Sequence, residues 1–272
     1  MLRILWLIAV SMAIGFFGGC QNVLQQTSGT ATPSSTSTPA ATSAPTATPS
    51  GINFSIWELQ EPSGSGTSPT TTYPLTGYSS PYFYVATDGG QAFMDTATGI
   101  TTSGSSHCRT EMREMTSSGG LASWSATATN TMTVTGKIIQ VGGGSSGHVT
   151  VGQVFYGTTS NPLGELEWYA NRSGYTGFVL LLEDTSAGGS STLYNLGTQA
   201  IGSQYTYTLG LSGGILSVTV NGSTTTYTPD SSFTGGSFYF KCGNYDQTAA
   251  AGTVTTTPYT IVETYSVNVS HS

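Results

Sequence analysis

Charge is what this chain has least of. Only 7% of its 272 residues are charged, and six basic residues (Arg3, Arg109, Arg113, Lys137, Arg172 and Lys241) stand against thirteen acids. With a sequence pI near 4.7, it has no basic stripe to neutralise a nucleic-acid backbone, so nucleic acid is excluded as a partner. Histidine and cysteine are scarce too, with three of each. No His/Cys/Asp cluster has metal-ligand spacing and nothing suggests a nucleotide site, so neither metal nor cofactor is expected. A long helical period is missing as well, which argues against any helical core.

Glycine (36 residues), tyrosine (15), serine and threonine take the place of charge. That bias suits many short strands joined by turns. Strand-like runs follow one another from residue 51 onward: "INFSIWEL", "PYFYVAT", "TMTVTGKIIQV", "HVTVGQVFYG", "YTGFVLLLED", "QYTYTLGL", "GILSVTVNG", "GSFYFKCGNYDQ" and "YTIVETYSVNV". Gly213-Gly214 and Asn221-Gly222 have the chemistry of two-residue hairpin turns. Together these predict one all-β domain over 51–272, a sandwich of antiparallel sheets.

The segment before it has two parts. Arg3, the apolar run Ile4 to Phe17 and Gly18-Gly19-Cys20 have the form of an export signal over residues 1–19. Small residues before Cys20 resemble a bacterial lipobox, which implies lipidation of Cys20 as the mature N-terminus at the outer membrane or cell surface, with simple secretion as the alternative; Gln21 rather than Asp after the cysteine favours the outer membrane. Residues 21–50 form a linker, and from Thr27 to Ser50 only Ser, Thr, Ala, Pro and Gly occur. Such a segment has nothing to offset the entropy of ordering it, so it reads as a tether. At about 3 Å per residue when extended, it reaches on the order of 70 Å. The only membrane contact expected is this lipid anchor, on a monomer.

The scarce charge is concentrated. In "HCRTEMREM", period two places His107, Arg109, Glu111 and Arg113 on one face and Cys108, Thr110, Met112 and Glu114 on the other. The run Ser237 to Gln247 likewise puts Tyr239, Lys241, Gly243, Tyr245 and Gln247 on one face, with Phe238, Phe240 and Cys242 turned to the core. Three of the five cations outside the export signal thus point out of two strands. A salt-bridge ladder on a solvated face would explain either strand alone. Taken together they make a positive cleft, and arginine suits carboxylates through paired hydrogen bonds. A carboxylated polymer is the partner this predicts.

These same residues carry a resemblance. "RTEMRE" resembles the "RTELRE" motif, and "YFKCGNYDQ" the "YFKAGxYxQ" motif, of family 7 of the polysaccharide lyases, the alginate lyases. "GQVF" stands where that family has "QIH" or "QVH", and "FSIWELQEP" and "YSVNVSHS" resemble its first and last strands. The resemblance implies a β-jelly roll with a concave substrate cleft, and β-elimination at a uronic acid. It assigns Arg109, Arg113 and Gln153 to the substrate carboxylate and neighbouring sugars, Tyr245 to catalysis and Lys241 to a sugar contact, with Glu111 orienting the arginines. Tyr239, Gln247 and His107 complete the expected substrate-binding set.

The departure is Phe155, which stands in place of the family's usual base and cannot accept a proton. Tyr245 is then expected to serve as both base and acid, which favours mannuronate or a glucuronate polymer, since the C5 arrangement of both lets one residue do both tasks. The alternative is a noncatalytic polyuronate-binding surface lipoprotein, with the tyrosines and Trp168 stacking on sugars. A glycoside hydrolase would need paired carboxylates; Glu165 and Glu167 in "GELEWY" share a face, as acids on any solvated strand do. His107 is the best substitute base by facing, whereas His148 has the wrong parity relative to Gln153 unless a bulge intervenes. Cys108 and Cys242 leave two readings open, a disulfide or two buried thiols.

Overall fold

The computed structural model describes residues 51–272. Cys20, the export signal and the 21–50 linker lie outside the described residues. In chain order the strands longer than two residues are β1 (Trp57–Ser65), β2 (Ser68–Thr72), β3 (Phe83–Val85), β4 (Gln91–Asp95), β5 (Thr110–Glu114), β6 (Asn130–Gln140), β7 (His148–Tyr156) and β8 (Asn161–Arg172). They continue as β9 (Tyr175–Glu183), β10 (Ser191–Gly197), β11 (Gln204–Ser212), β12 (Ile215–Val220), β13 (Ser223–Tyr227), β14 (Ser237–Asp246) and β15 (Thr260–His271).

Two large sheets form a jelly-roll sandwich. The front sheet runs β10-β9-β8-β7-β14-β5-β1-β2 and the back sheet β13-β12-β11-β6-β15-β4-β3. Sequence alternation explains the back sheet directly. In "NTMTVTGKIIQ" the burial pattern alternates along nearly the whole strand, with Met132, Val134 and Ile138 in the core. Thr133 and Thr135 turn outward to bond Thr208 and Thr206 at 2.8 and 3.2 Å. Both expected hairpin turns form, and Asn221, Gly222, Gly213 and Gly214 all have positive φ, as that turn type requires.

The front sheet is buried on both faces over much of β7 and β14. Met112, Val154, Leu166, Phe178 and Phe240 face Phe93, Met132, Tyr207 and Val218 across the core. Each such side chain contributes roughly 1.5–3 kcal/mol by leaving water. Asn244 ties the sheets together, donating to the carbonyls of Phe93 and Thr260, each at 3.0 Å. Cys108 and Cys242 are buried free thiols, which closes the open question against a disulfide.

Several strands are absent from the sequence-based set: β2, β4, β8, β10 and β13. β4 is buried at every position, so it carries no alternation to detect. One local irregularity shapes the site. β7 shifts register against both β8 and β14 between Thr150 and Gly152, a bulge that switches the face of its side chains. Gly152 permits it, because a Cβ there would stand 2.4 Å from the Tyr207 hydroxyl oxygen. That hydroxyl donates to the Val151 carbonyl at 2.8 Å, satisfying a backbone group at the bulge.

Candidate active site

Period two places the cleft face of β5 and β14 as expected. Arg109, Glu111, Arg113, Tyr239, Lys241 and Tyr245, joined by Gln153 and Phe155 from β7, line one cavity of about 490 Å³. Regular pairing sets Lys241 opposite Arg113 and Gly243 opposite Glu111. Arg109 precedes the first residue of β5, yet its guanidinium lies 3.6 Å from the centroid of the Tyr245 ring. Arg113 covers Tyr239 in the same way at 4.0 Å.

Glu111 holds the cationic side together. It accepts from Arg109 at 3.1 Å and Lys241 at 2.5 Å, and also from the Gln153 amide. Burial opposes its charge, but Lys241 and Arg109 outweigh burial and keep the carboxyl below its ordinary value. Burial pushes Lys241 the other way, down to about 8, with Glu111 resisting. Burial also raises the Tyr245 phenol, against the pull of Arg109. Polar atoms of the site remain free for a ligand: Arg109 Nε, Arg113 Nε and Gln153 Oε1 are buried with no partner among the described residues.

Ser105 escaped the sequence reading. Its hydroxyl lies 3.0 Å from the Tyr245 hydroxyl, receives Arg109 Nη2 at 3.1 Å and donates to the His107 carbonyl at 2.8 Å. It therefore fixes both the phenol and the guanidinium, from a loop whose "GSS" carries no distinguishing signal.

A second cavity of about 350 Å³ adjoins the first, with Glu165 lining both. His107 and Gln247 belong to this second cavity and not to the main one. His107 Nδ1 is 2.6 Å from the Ala249 carbonyl, and Gln247 donates to Thr150 at 3.1 Å. The β7 bulge brings His148 there too, against the simple parity; burial first and Arg172 second push its pKa down to about 4. Glu165 and Glu167 are also corrected. They are buried on the cleft face, not exposed on a solvated strand. Trp168 is corrected the other way: it is in the core, its indole donating to the Gln199 carbonyl at 2.8 Å, and stacks on no sugar.

Phe155 packs on Tyr239 with ring centroids 5.1 Å apart, so an apolar surface occupies the place of a base. Among the described residues no group of His, Cys, Asp or Glu side chains is placed to hold a metal ion.

Comparison with known proteins agrees with this geometry. A family model described as alginate lyase matches residues 52–271. No curated protein sequence matches. Among solved structures, alginate lyase A1-II′, a member of polysaccharide lyase family 7, is 30% identical with a TM-score of 0.69, over 80% of this chain and 96% of that one. An alginate lyase from Pseudomonas aeruginosa is 27% identical with a TM-score of 0.71, over 81% and 100%. The alginate lyase from Corynebacterium sp. is 26% identical with a TM-score of 0.67, over 83% and 98%. A jelly-roll cleft that sets Arg109, Arg113 and Lys241 among Glu58, Glu111 and Glu165, the "RTEMRE" and "YFKCGNYDQ" strands that build it, and a match spanning nearly every described residue place this chain in the alginate lyase family, polysaccharide lyase family 7.

Proposed function

We propose that the protein cleaves a polyuronate by β-elimination, acting on mannuronate-rich alginate or on a glucuronate polymer. The observation that carries this reading is the Arg109 guanidinium stacked 3.6 Å over the Tyr245 ring, beside free donors of Arg109 and Arg113. Arg109, Arg113 and Gln153 take the substrate carboxylate, which makes the C5 proton acidic. Stabilising the charge that develops there usually lowers the barrier of such a reaction more than any other single effect. The Tyr245 phenolate, toward which Arg109 pulls against the larger effect of burial, accepts the C5 proton; the C5–H electron pair becomes the C4=C5 double bond as C4–O4 breaks. The same phenol then returns its proton to O4. Glu111 is no base, because its oxygens are engaged by Arg109, Lys241 and Gln153; it orients them.

Purified protein incubated with polymannuronate is expected to generate ultraviolet-absorbing unsaturated ends. Reducing ends without that absorbance would identify a hydrolase. A second reading draws on Phe155 and Tyr239, an aromatic pair in the cavity suited to stacking on sugars: a binder that retains polymer on a gel and releases no product. In either case we propose a lipid anchor at Cys20 that holds the domain at the outer membrane or cell surface.

A further inference from the structure

Glu165 is the one buried carboxyl of the main cavity that the mechanism leaves idle. It sits on β8 directly across from Gln153 of β7, with Leu181 of β9 on its other side. It is 9% exposed, opens onto both cavities and makes no hydrogen bond among the described residues. Its carboxyl therefore faces open cavity space and is available to a ligand. Gln153 pairs with Glu165 and, past a register shift after Val154, Phe155 pairs with Pro162, so Glu165 and Phe155 stand on neighbouring strands and line the same cavity. Tyr245 pairs with Thr150 on the opposite side of β7. A sugar lying along β7 therefore has Tyr245 on one side and Glu165 on the other.

We propose that Glu165 is a second catalytic base, taking the C5 proton of a uronate from the side opposite Tyr245 and so extending the elimination to guluronate, the C5 epimer of mannuronate. The inference rests on the lyase reading. In this step the Glu165 carboxylate takes the C5 proton and the C5–H pair forms the C4=C5 bond. C4–O4 breaks, and the Tyr245 hydroxyl donates its proton to O4. Water then removes the proton from Glu165 and resupplies Tyr245.

The other acids are less suited. Glu167 accepts from Thr150 at 3.2 Å, and Glu58 stands on β1, four strands from β8, or about 19 Å at the usual spacing. The electrostatic setting supports the division of labour. Burial, then Glu167 and Glu111, push Glu165 well above the usual carboxylate range, while Arg109 and Lys241 pull it back. A raised carboxylate is a stronger base, and burial keeps Tyr245 a phenol able to donate. His107, His148 and Arg172 share the second cavity with it, and the neighbouring β9 and β10 present Leu181 and Leu193.

The test compares wild type with Glu165→Gln on polyguluronate and polymannuronate. Turnover of polyguluronate is expected to fall by about 10²–10⁴-fold, that of polymannuronate by under about tenfold, and Glu165→Asp is expected to recover part of the former. The wild-type polyguluronate rate should rise with pH as Glu165 ionises, a limb missing from Glu165→Gln. Equal loss on both polymers, unchanged polyguluronate turnover, or a wild type active on polymannuronate alone would each overturn the inference and leave the lyase reading standing. A wild type that retains polymer but generates no unsaturated product from any polyuronate would overturn both.

Discussion

Glu111 and Glu165 are both buried glutamates on the cleft face of one sheet, yet they are held in opposite states. Glu111 is gripped by Arg109, Lys241 and Gln153 and stays ionised. Glu165, three strands away, makes no hydrogen bond among the described residues, and burial favours its protonated form. Residue type is the same, so the difference comes from neighbours alone. Groups pushed apart in this way divide the work of a site between scaffold and proton carrier. On the proposed mechanism, the first side of the cleft receives a carboxylate and the second moves a proton.

Removing the scaffold breaks the comparison most severely. Glu111→Ala leaves two buried cations without their counter-ion, and the expected loss is about 3–5 kcal/mol, read from the denaturant midpoint. Gly152→Ala attacks the frame shared by both sides. A Cβ there meets Tyr207, so a loss of about 1–3 kcal/mol is expected, with a raised KM as the bulge moves Gln153.

Stability against pH sharpens the contrast. Glu111 is depressed on folding, so its contribution is present above the unfolded value of about 4.3 and is lost as pH falls through its folded value. Glu165 is raised, so its contribution is present below that unfolded value and is lost as pH rises through its folded value. Each group changes stability by at most about 1.4 kcal/mol per pH unit, and Glu165→Gln should flatten the fall in stability that begins above the unfolded value of about 4.3. The smallest effect belongs to the rim. His107→Ala removes one hydrogen bond of about 1 kcal/mol and should weaken turnover by about fivefold; complete loss would contradict a role for His107 outside the proton transfers.

Period two in "RTEMRE" and "YFKCGNYDQ" was enough to place Arg109, Glu111, Arg113, Tyr239, Lys241 and Tyr245 in one cavity, because the two strands pair regularly with each other where they meet, from Thr110–Arg113 to Lys241–Asn244. The same rule failed at His148, since a bulge at Val151 and Gly152 leaves no mark in alternation. Glu165 and Glu167 alternate with Leu166 and Trp168 as a half-solvated strand would. Their burial depends on which strand lies beside β8, a non-local fact that no window of sequence contains. Ser105 was invisible for another reason: it acts through loop geometry, and serine in a Gly/Ser-rich segment is unremarked. Trp168 misled because its aromatic character suits core and sugar platform equally.

The most direct measurement is ultraviolet absorbance against time for wild type and Tyr245→Phe on polymannuronate, with polymer retention measured alongside. Elimination through Tyr245 predicts a steady rise for wild type and a rate lower by about 10²–10⁴-fold in the variant, both retaining polymer. An unchanged rate in Tyr245→Phe, or a wild type that holds polymer and never generates absorbance, would contradict it.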